Sequence, residues 1–153
     1  MIDKTVQWIT ERLGLYIAER TGDQDRVVKA SPTASADAGK TETENKILVS
    51  LVNVLPETTY RAVQTIERRD DGRFEKVQPP ARVSLSILFS AHMSTYSEAL
   101  KALDQVLSFF QLHPSVPCRE IDGFEDARGR LVFHLQPTSF EQLNQLWGAL
   151  GTK

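Results

Sequence analysis

The segment Ile47–Val54 restricts the possible folds more than any other part of the sequence. Its residues, ILVSLVNV, form a nearly continuous apolar run that is rich in branched side chains. A run of this length and composition is typical of a β-strand that is buried on both faces. We therefore expect this strand to lie near the centre of a sheet.

Several shorter segments predict further strands. Along Arg82–Ser90 apolar residues alternate with serines, which predicts a strand with one apolar face made by Val83, Leu85, Ile87 and Phe89. The segments Tyr60–Ile66 and Phe74–Val77 flank Asp71-Gly72, a dipeptide that favours a hairpin turn. A last short strand is predicted near Phe133, where Leu131 and Leu135 alternate with polar or smaller neighbours.

Three segments predict helices. The first ends near Gly22, a residue suited to a left-handed cap. The second begins after Thr95 and the third after Ser139, and an acidic or amide side chain three residues later completes the pattern of a capping box. The expected apolar stripes are Ile2, Val6, Ile9, Leu13 and Ile17; then, as a core stripe, Tyr96, Ala99, Leu100, Leu103, Leu107 and Phe110; and finally Phe140, Leu143, Leu146, Trp147 and Leu150.

The order helix, four strands, helix, strand, helix (α-β-β-β-β-α-β-α) predicts an α+β fold. In it, helices cover one side of a mixed, largely antiparallel sheet. A chain of 153 residues fits one domain, 1–153. Residues 31–43, SPTASADAGKTET, lack apolar periodicity and are predicted to be a flexible loop, or alternatively a segment that becomes ordered on a partner.

Composition narrows the possible partners. The formal net charge of −2 argues against nucleic-acid binding, which normally needs a basic face. Cys118 is the only cysteine, so an internal disulfide and a cysteine-based zinc site are excluded, and a reducing cytoplasm is the fitting compartment. No apolar run approaches the ~18 residues of a membrane span. We expect a protein that is made in the cytoplasm, without a nucleic-acid partner or a membrane span.

Patterns that support catalysis are missing from the sequence. His92, His113 and His134 do not have the paired spacing of a zinc protease, and no nucleophile elbow is present. Cys118 has no clear activating neighbour, and the acidic loop Glu120–Asp126 lacks the regular spacing of a calcium loop. We therefore predict no catalytic, metal-binding or cofactor-binding residues, and a function that is not enzymatic.

The predicted hairpin carries a cluster of arginines. Arg61, Arg68, Arg69 and Arg73 concentrate positive charge there, but acidic residues interleave with them and nearly cancel the field. One interpretation is a charged arm that pairs with a neighbouring subunit, and the other is a solvated sheet edge. We keep these arginines as candidate interface residues.

Four segments in the right order resemble one protein family. They are ENKILVSLVN from Glu44, PPxxxxLxxLFxA from Pro79, YxEAL with FFQ from Tyr96 and Phe109, and FEQLNxLWGxLG from Phe140. Together they resemble the N-terminal domain of cap, or tail-terminator, proteins of extracellular contractile injection systems of the antifeeding-prophage type. The resemblance runs from Ile2 to Lys153, except for the loop 31–43.

The resemblance implies a structural cap that ends growth of the inner tube and the sheath. Such a protein acts as a ring, expected to be a homo-hexamer, with the inner-tube and sheath proteins as partners in an injection particle. It implies no catalytic residues. Phe140 and Trp147 are candidate apolar anchors at an interface, with core packing as the alternative. Other functions left open are a different connector or completion protein of a phage-like tail, and an unrelated enzyme or small-molecule-binding module.

Overall fold

The structure is a computed structural model that describes residues 1–23, 25–29, 44–57, 65–68, 74–77, 82–125 and 129–150. Of these, 65–68 and 74–77 are described by their backbone. The chain divides into two compact units. The first combines Met1–Leu51 with Ile87–Lys153, and the second is Val52–Ser86. The predicted loop 31–43 lies outside the described residues, and the single domain 1–153 stays a prediction.

The described elements are α-helices, one short 3-10 helix and β-strands, in an α+β arrangement. The α-helices are α1 (Ile2–Thr21), α2 (Tyr96–Leu112) and α3 (Phe140–Ala149), and the 3-10 helix is Cys118–Glu120. The strands are β1 (Val27–Lys29), β2 (Lys46–Pro56), β3 (Thr65–Arg68), β4 (Phe74–Val77), β5 (Val83–His92), β6 (Ser115–Pro117) and β7 (Arg130–Val132). The predicted α+β class is confirmed, and the three-residue strands β1 and β6 are additional to the predicted order.

The main sheet has the strand order β1-β2-β5, so β2 is its central strand, as predicted. β1 is parallel to β2, with Val27 opposite Ile47. The Glu57 N–H, just after β2, donates to the Arg82 carbonyl, just before β5. This hydrogen bond joins the end of β2 to the start of β5, which indicates that the two strands run antiparallel. The pairs β3–β4 and β6–β7 are also antiparallel. The β3–β4 pair agrees with the predicted hairpin, whose turn dipeptide Asp71-Gly72 lies outside the described residues.

The core of the first unit lies where α1 and α2 pack on one face of the main sheet. β2 contributes Ile47 and Val49, while Ile87, Phe89 and Ala91 of β5 pack against the same cluster. Leu48 and Ser50, on the other face of β2, are buried too. Burial on both faces is therefore confirmed for 47–50. It is wrong for the end of the run, because Val54 is exposed and the core cluster forms only around the beginning of β2.

Helix α1 follows its predicted pattern closely. Val6, Ile9, Leu13 and Ile17 are all buried, and Gly22 ends the helix with φ 76°, its N–H donating to the Ala18 carbonyl at 2.8 Å. Positive φ is the backbone region that glycine adopts without a steric penalty. The one exception is Ile2, which is exposed because it lies in the first turn, ahead of the part of α1 that faces the sheet.

Helix α2 is rotated relative to its predicted core stripe. Its buried residues are Ala102, Val106 and Phe109, a set spaced by four and three residues that lies beside the predicted stripe. Tyr16 and Phe110 both meet Phe109 edge-on, with ring centroids 5.5 Å and 5.1 Å away. Of the predicted residues, Tyr96, Leu100, Leu103 and Leu107 are exposed, while Ala99 and Phe110 are half-buried. The prediction failed because α2 is apolar on two adjacent faces, and the sheet contacts the one with the small Ala102.

Candidate interaction surface

The N-terminal cap of α3 fixes the position of the first candidate residue. The Ser139 hydroxyl accepts a hydrogen bond from the Gln142 N–H at 3.2 Å, and the Gln142 side chain accepts one from the Ser139 N–H at 3.1 Å. Both halves of the predicted capping box are therefore present. This arrangement satisfies backbone donors that a helix start leaves unpaired. It holds Phe140, the first residue of α3, with 92% of its surface exposed.

One face of α3 is apolar and open. We call Phe140, Leu143 and Trp147 the α3 face, since spacings of three and four residues place them on one side of a helix. Leu143 and Trp147 are 37% and 36% exposed. No residue of α3 is buried. Phe140 thus lies outside the core of the described residues, and the role of both candidate anchors at an interface stays a prediction.

A second open apolar surface lies on α2. We call Tyr96, Leu100, Leu103 and Leu107 the α2 outer stripe, which has spacings of four, three and four residues. Their exposed fractions are 79%, 48%, 37% and 45%. The Thr95 hydroxyl accepts from the Glu98 N–H at 3.3 Å and caps the helix beside Tyr96. The Glu98 carboxylate accepts from the Ser94 hydroxyl at 3.0 Å, so it does not take the reciprocal position expected of a capping box.

The periodicity of the sequence predicted the α2 outer stripe as part of the core, so the stripe is a surface that the sequence alone did not identify. A signal was present in the sequence. Ala102, Val106 and Phe109 form a second stripe next to the first, and a helix that is apolar over more than one face has more apolar surface than one sheet contact can bury. The sequence of α2 therefore contains more apolar surface than its contact with the sheet can bury.

Of the four candidate arginines, only Arg68 is among the described residues. Arg61, Arg69 and Arg73 lie outside the described residues. Arg68 is the last residue of β3 and is paired in register with Phe74 of β4. The backbone thus places Arg68 at the end of the β3–β4 pair that precedes residues 69–73. The role of the four arginines at an interface stays a prediction.

The cysteine and the histidines considered for catalysis lie in different elements of the fold. Cys118 begins the 3-10 helix, and its N–H donates to the Gly129 carbonyl at 2.9 Å. His113 caps the end of α2 and makes a 3.0 Å hydrogen bond between Nδ1 and the Phe109 carbonyl. His92 contacts the Ser90 hydroxyl on β5 at 3.3 Å. Among the described residues, no hydrogen bond joins the Cys118 thiol to an imidazole.

The acidic loop is tied to the start of α1. The Gly123 N–H donates to the Glu125 carboxylate at 2.8 Å, and a methyl group on Gly123 would overlap the Lys4 ammonium. The hydrogen bond from Gly123, one from its own N–H and the charge of Lys4 together lower the pKa of Glu125. Within the described ranges, the acidic, histidine and cysteine side chains form no group that could hold a metal ion. The arrangement indicates a structural contact between loop and helix.

Comparison with known families identifies the class of protein. The profile of the Pvc16 N-terminal domain matches residues 5–153, nearly the whole chain. The chain belongs to the Pvc16 N-terminal domain family, as the resemblance of its four segments implied. This membership associates it with phage-tail-like injection systems. No curated protein matches the sequence. In the part of the chain that the structure describes, no helix combines the length and apolar character needed to cross a membrane.

Proposed function

We propose that this chain is a structural cap, or terminator, that ends inner-tube and sheath assembly in a phage-tail-like contractile injection system. It acts as a ring, expected to be a homo-hexamer, and works without catalysis. Family membership over residues 5–153 is the observation that carries the proposal. The proposed partners are further copies of the chain, the inner-tube protein and the sheath protein, in a particle assembled in the cytoplasm.

The surface of the first unit supports an assembly role. Two exposed apolar faces, the α2 outer stripe and the α3 face, are carried by helices whose N-terminal ends are fixed by side-chain caps. Apolar faces on rigid elements are suited to permanent contacts, since binding then costs little ordering of the chain. Tyr, Trp and Phe are also the side chains enriched at interfaces. A cap that delivers its activity through shape needs surfaces of this kind.

Length control during assembly tests this function directly. The inner-tube and sheath proteins are mixed with and without this chain, and particle lengths are measured by electron microscopy. We expect long tubes of varied length without the chain, and short tubes of narrow length distribution with it. A small tag on the chain should appear at one free end of each tube. A core variant such as Leu13→Asp, which cannot fold, serves as the inactive control.

Two outcomes would count against a terminator. An unchanged length distribution at a chain concentration above that of tube ends would contradict the cap function. A tag found between two parts of the particle, with no effect on length, would instead favour a connector or completion protein. Normal, length-regulated particles from a strain that lacks the chain would exclude both roles.

A further inference from the structure

The α3 face is shorter than the α2 outer stripe. At 1.5 Å per residue, the stripe from Tyr96 to Leu107 extends about 16 Å along its helix and the face from Phe140 to Trp147 about 10 Å. Both lie in the first unit of the chain. Each is a helical face with an aromatic residue at its N-terminal end, Tyr96 on one and Phe140 on the other. The α3 face can therefore pair along its full length with roughly two thirds of the α2 outer stripe.

The two faces are also similar in chemistry. No residue of either face is charged, and α3 as a whole contains one charged residue, Glu141. Interface cores are depleted of charge because a buried unpaired charge costs much free energy. Neither face offers a charge that a partner would have to match. Each is thus suited to another uncharged helical face.

The exposed apolar area is in the range that a specific contact needs. With about 200 Å² for a large side chain, the exposed fractions correspond to roughly 400 Å² on the α2 outer stripe and 300 Å² on the α3 face. If the α3 face and roughly two thirds of the α2 outer stripe are covered, about 600 Å² of apolar surface is buried, which corresponds to about 1,000 Å² in total because interfaces are about 60% apolar. That value is close to the minimum of about 1,000 Å² expected of a specific protein interface.

The N-terminal ends of the two faces are not covered within one chain. Phe140 is 92% exposed and Tyr96 is 79% exposed, so the aromatic ends of both faces are open to solvent. The largest apolar patch on a typical monomer covers about 300–600 Å² and is often functional. A second copy of the same chain presents both faces, so it would supply an apolar partner for each of them.

We propose that the α2 outer stripe of one copy binds the α3 face of the next copy. Since the two faces differ, the contact is head-to-tail, and its repetition closes into a ring when the rotation per copy permits. This inference rests on the proposed ring-forming function and names the surfaces that form the ring. Leu103 and Leu143, near the middle of the two faces, lie at the centre of the contact.

Cysteine cross-linking between two populations tests the pairing. Cys118 is the only cysteine, so a Cys118→Ser background removes the native thiol. One population carries Leu103→Cys and the other Leu143→Cys, and the two are mixed under mild oxidation. We expect a covalent dimer of twice the 17.2 kDa chain mass in the mixture, and little in either population alone. The matched control replaces Leu103→Cys by Leu15→Cys, because Leu15 is an exposed leucine on α1, and should give no dimer.

The experiment is run on the concentrated chain alone and again with tube and sheath proteins present. Absence of the mixed dimer under both conditions would overturn the pairing. A chain carrying both cysteines that forms an internal disulfide and stays monomeric would also overturn it, since α3 would then cover α2 of its own chain. As a second measurement, Leu107→Glu should lower the average particle mass toward that of one chain, whereas Leu15→Glu should not. Equal particle masses for the Leu107→Glu and Leu15→Glu chains would contradict the proposal.

These readouts separate the pairing from the cap function. A mixed dimer together with uncontrolled tube length would support the pairing of the two faces and contradict the terminator function. Controlled tube length without the mixed dimer would support the terminator function and contradict this pairing. Preferential capture of Leu103→Cys by the tube or sheath protein would assign the α2 outer stripe to that partner and exclude a second copy.

Discussion

Helices α1 and α2 both lie on the main sheet, but they use their apolar residues differently. In α1 a single stripe is buried, including Leu13 and Ile17 at 0% exposure, and isolated apolar residues such as Leu15 are left outside. In α2 the buried set is Ala102, Val106 and Phe109, and a complete second stripe stays exposed. α1 thus buries its one continuous apolar stripe in the fold. α2 buries one apolar face in the fold and leaves another exposed.

The largest expected effect is on the free energy of unfolding, and it distinguishes the buried stripe of α1 from an exposed leucine of the same helix. Leu13→Ala should lower the free energy of unfolding by about 2–5 kcal/mol, because it removes apolar contacts and leaves a cavity in a fully buried site. Leu15→Ala, at a position 60% exposed, should change it by no more than about 0.5 kcal/mol. Urea unfolding followed by far-UV circular dichroism measures both. Similar losses for the two variants would contradict the assignment of the buried face.

Adjacent residues of α2 give a sharper version of the same comparison. Val106 is 5% exposed and Leu107 is 45% exposed. Val106→Ala should cost about 1–2.5 kcal/mol of unfolding free energy, and Leu107→Ala less than about 1 kcal/mol, although the leucine loses more atoms. Unfolding of the dilute chain measures this order. A reversed order would show that the predicted stripe is the true core face and that the observed rotation of α2 is wrong.

The difference between α1 and α2 also shows which structural features the sequence alone can predict. Periodicity located α1 and its buried stripe because the other apolar residues of α1, such as Leu15, do not form a second continuous stripe, and Gly22 marked its end. It could not choose between the two faces of α2, because both have helical spacing and only the position of the sheet decides. The three-residue strands β1 and β6 were missed because they are too short to show alternation. Phe140 was a candidate from sequence, whereas the α2 outer stripe needed the structure.

α3 extends the comparison to a helix with no buried residue. At ten residues it is shorter than the ~12–15 that an isolated helix needs in water, so its cap should matter more than the cap of a packed helix. Ser139→Ala should cost about 1 kcal/mol of local stability. Faster amide hydrogen exchange at Gln142 and the residues after it measures the loss. Thr138→Ala is the matched control, since that hydroxyl contacts the Gln136 carbonyl and not α3. Equal exchange in both variants would exclude a role for the capping box.

The smallest expected effect concerns the polar side of α1, where Lys4 lies against the loop of Gly123 and Glu125. The pKa of Glu125 is lowered first by the Gly123 N–H, then by its own N–H, and less by Lys4. A carboxyl group with a lowered pKa in the folded state stabilises it above the ordinary carboxyl pKa, and this contribution is lost as pH falls through the folded value. Nuclear magnetic resonance titration of Glu125 should therefore give a pKa below the ordinary value. Lys4→Gln should raise it only slightly, because Lys4 is the weakest of the lowering causes. A native pKa at or above the ordinary value would show that the loop does not hold Glu125 ionised.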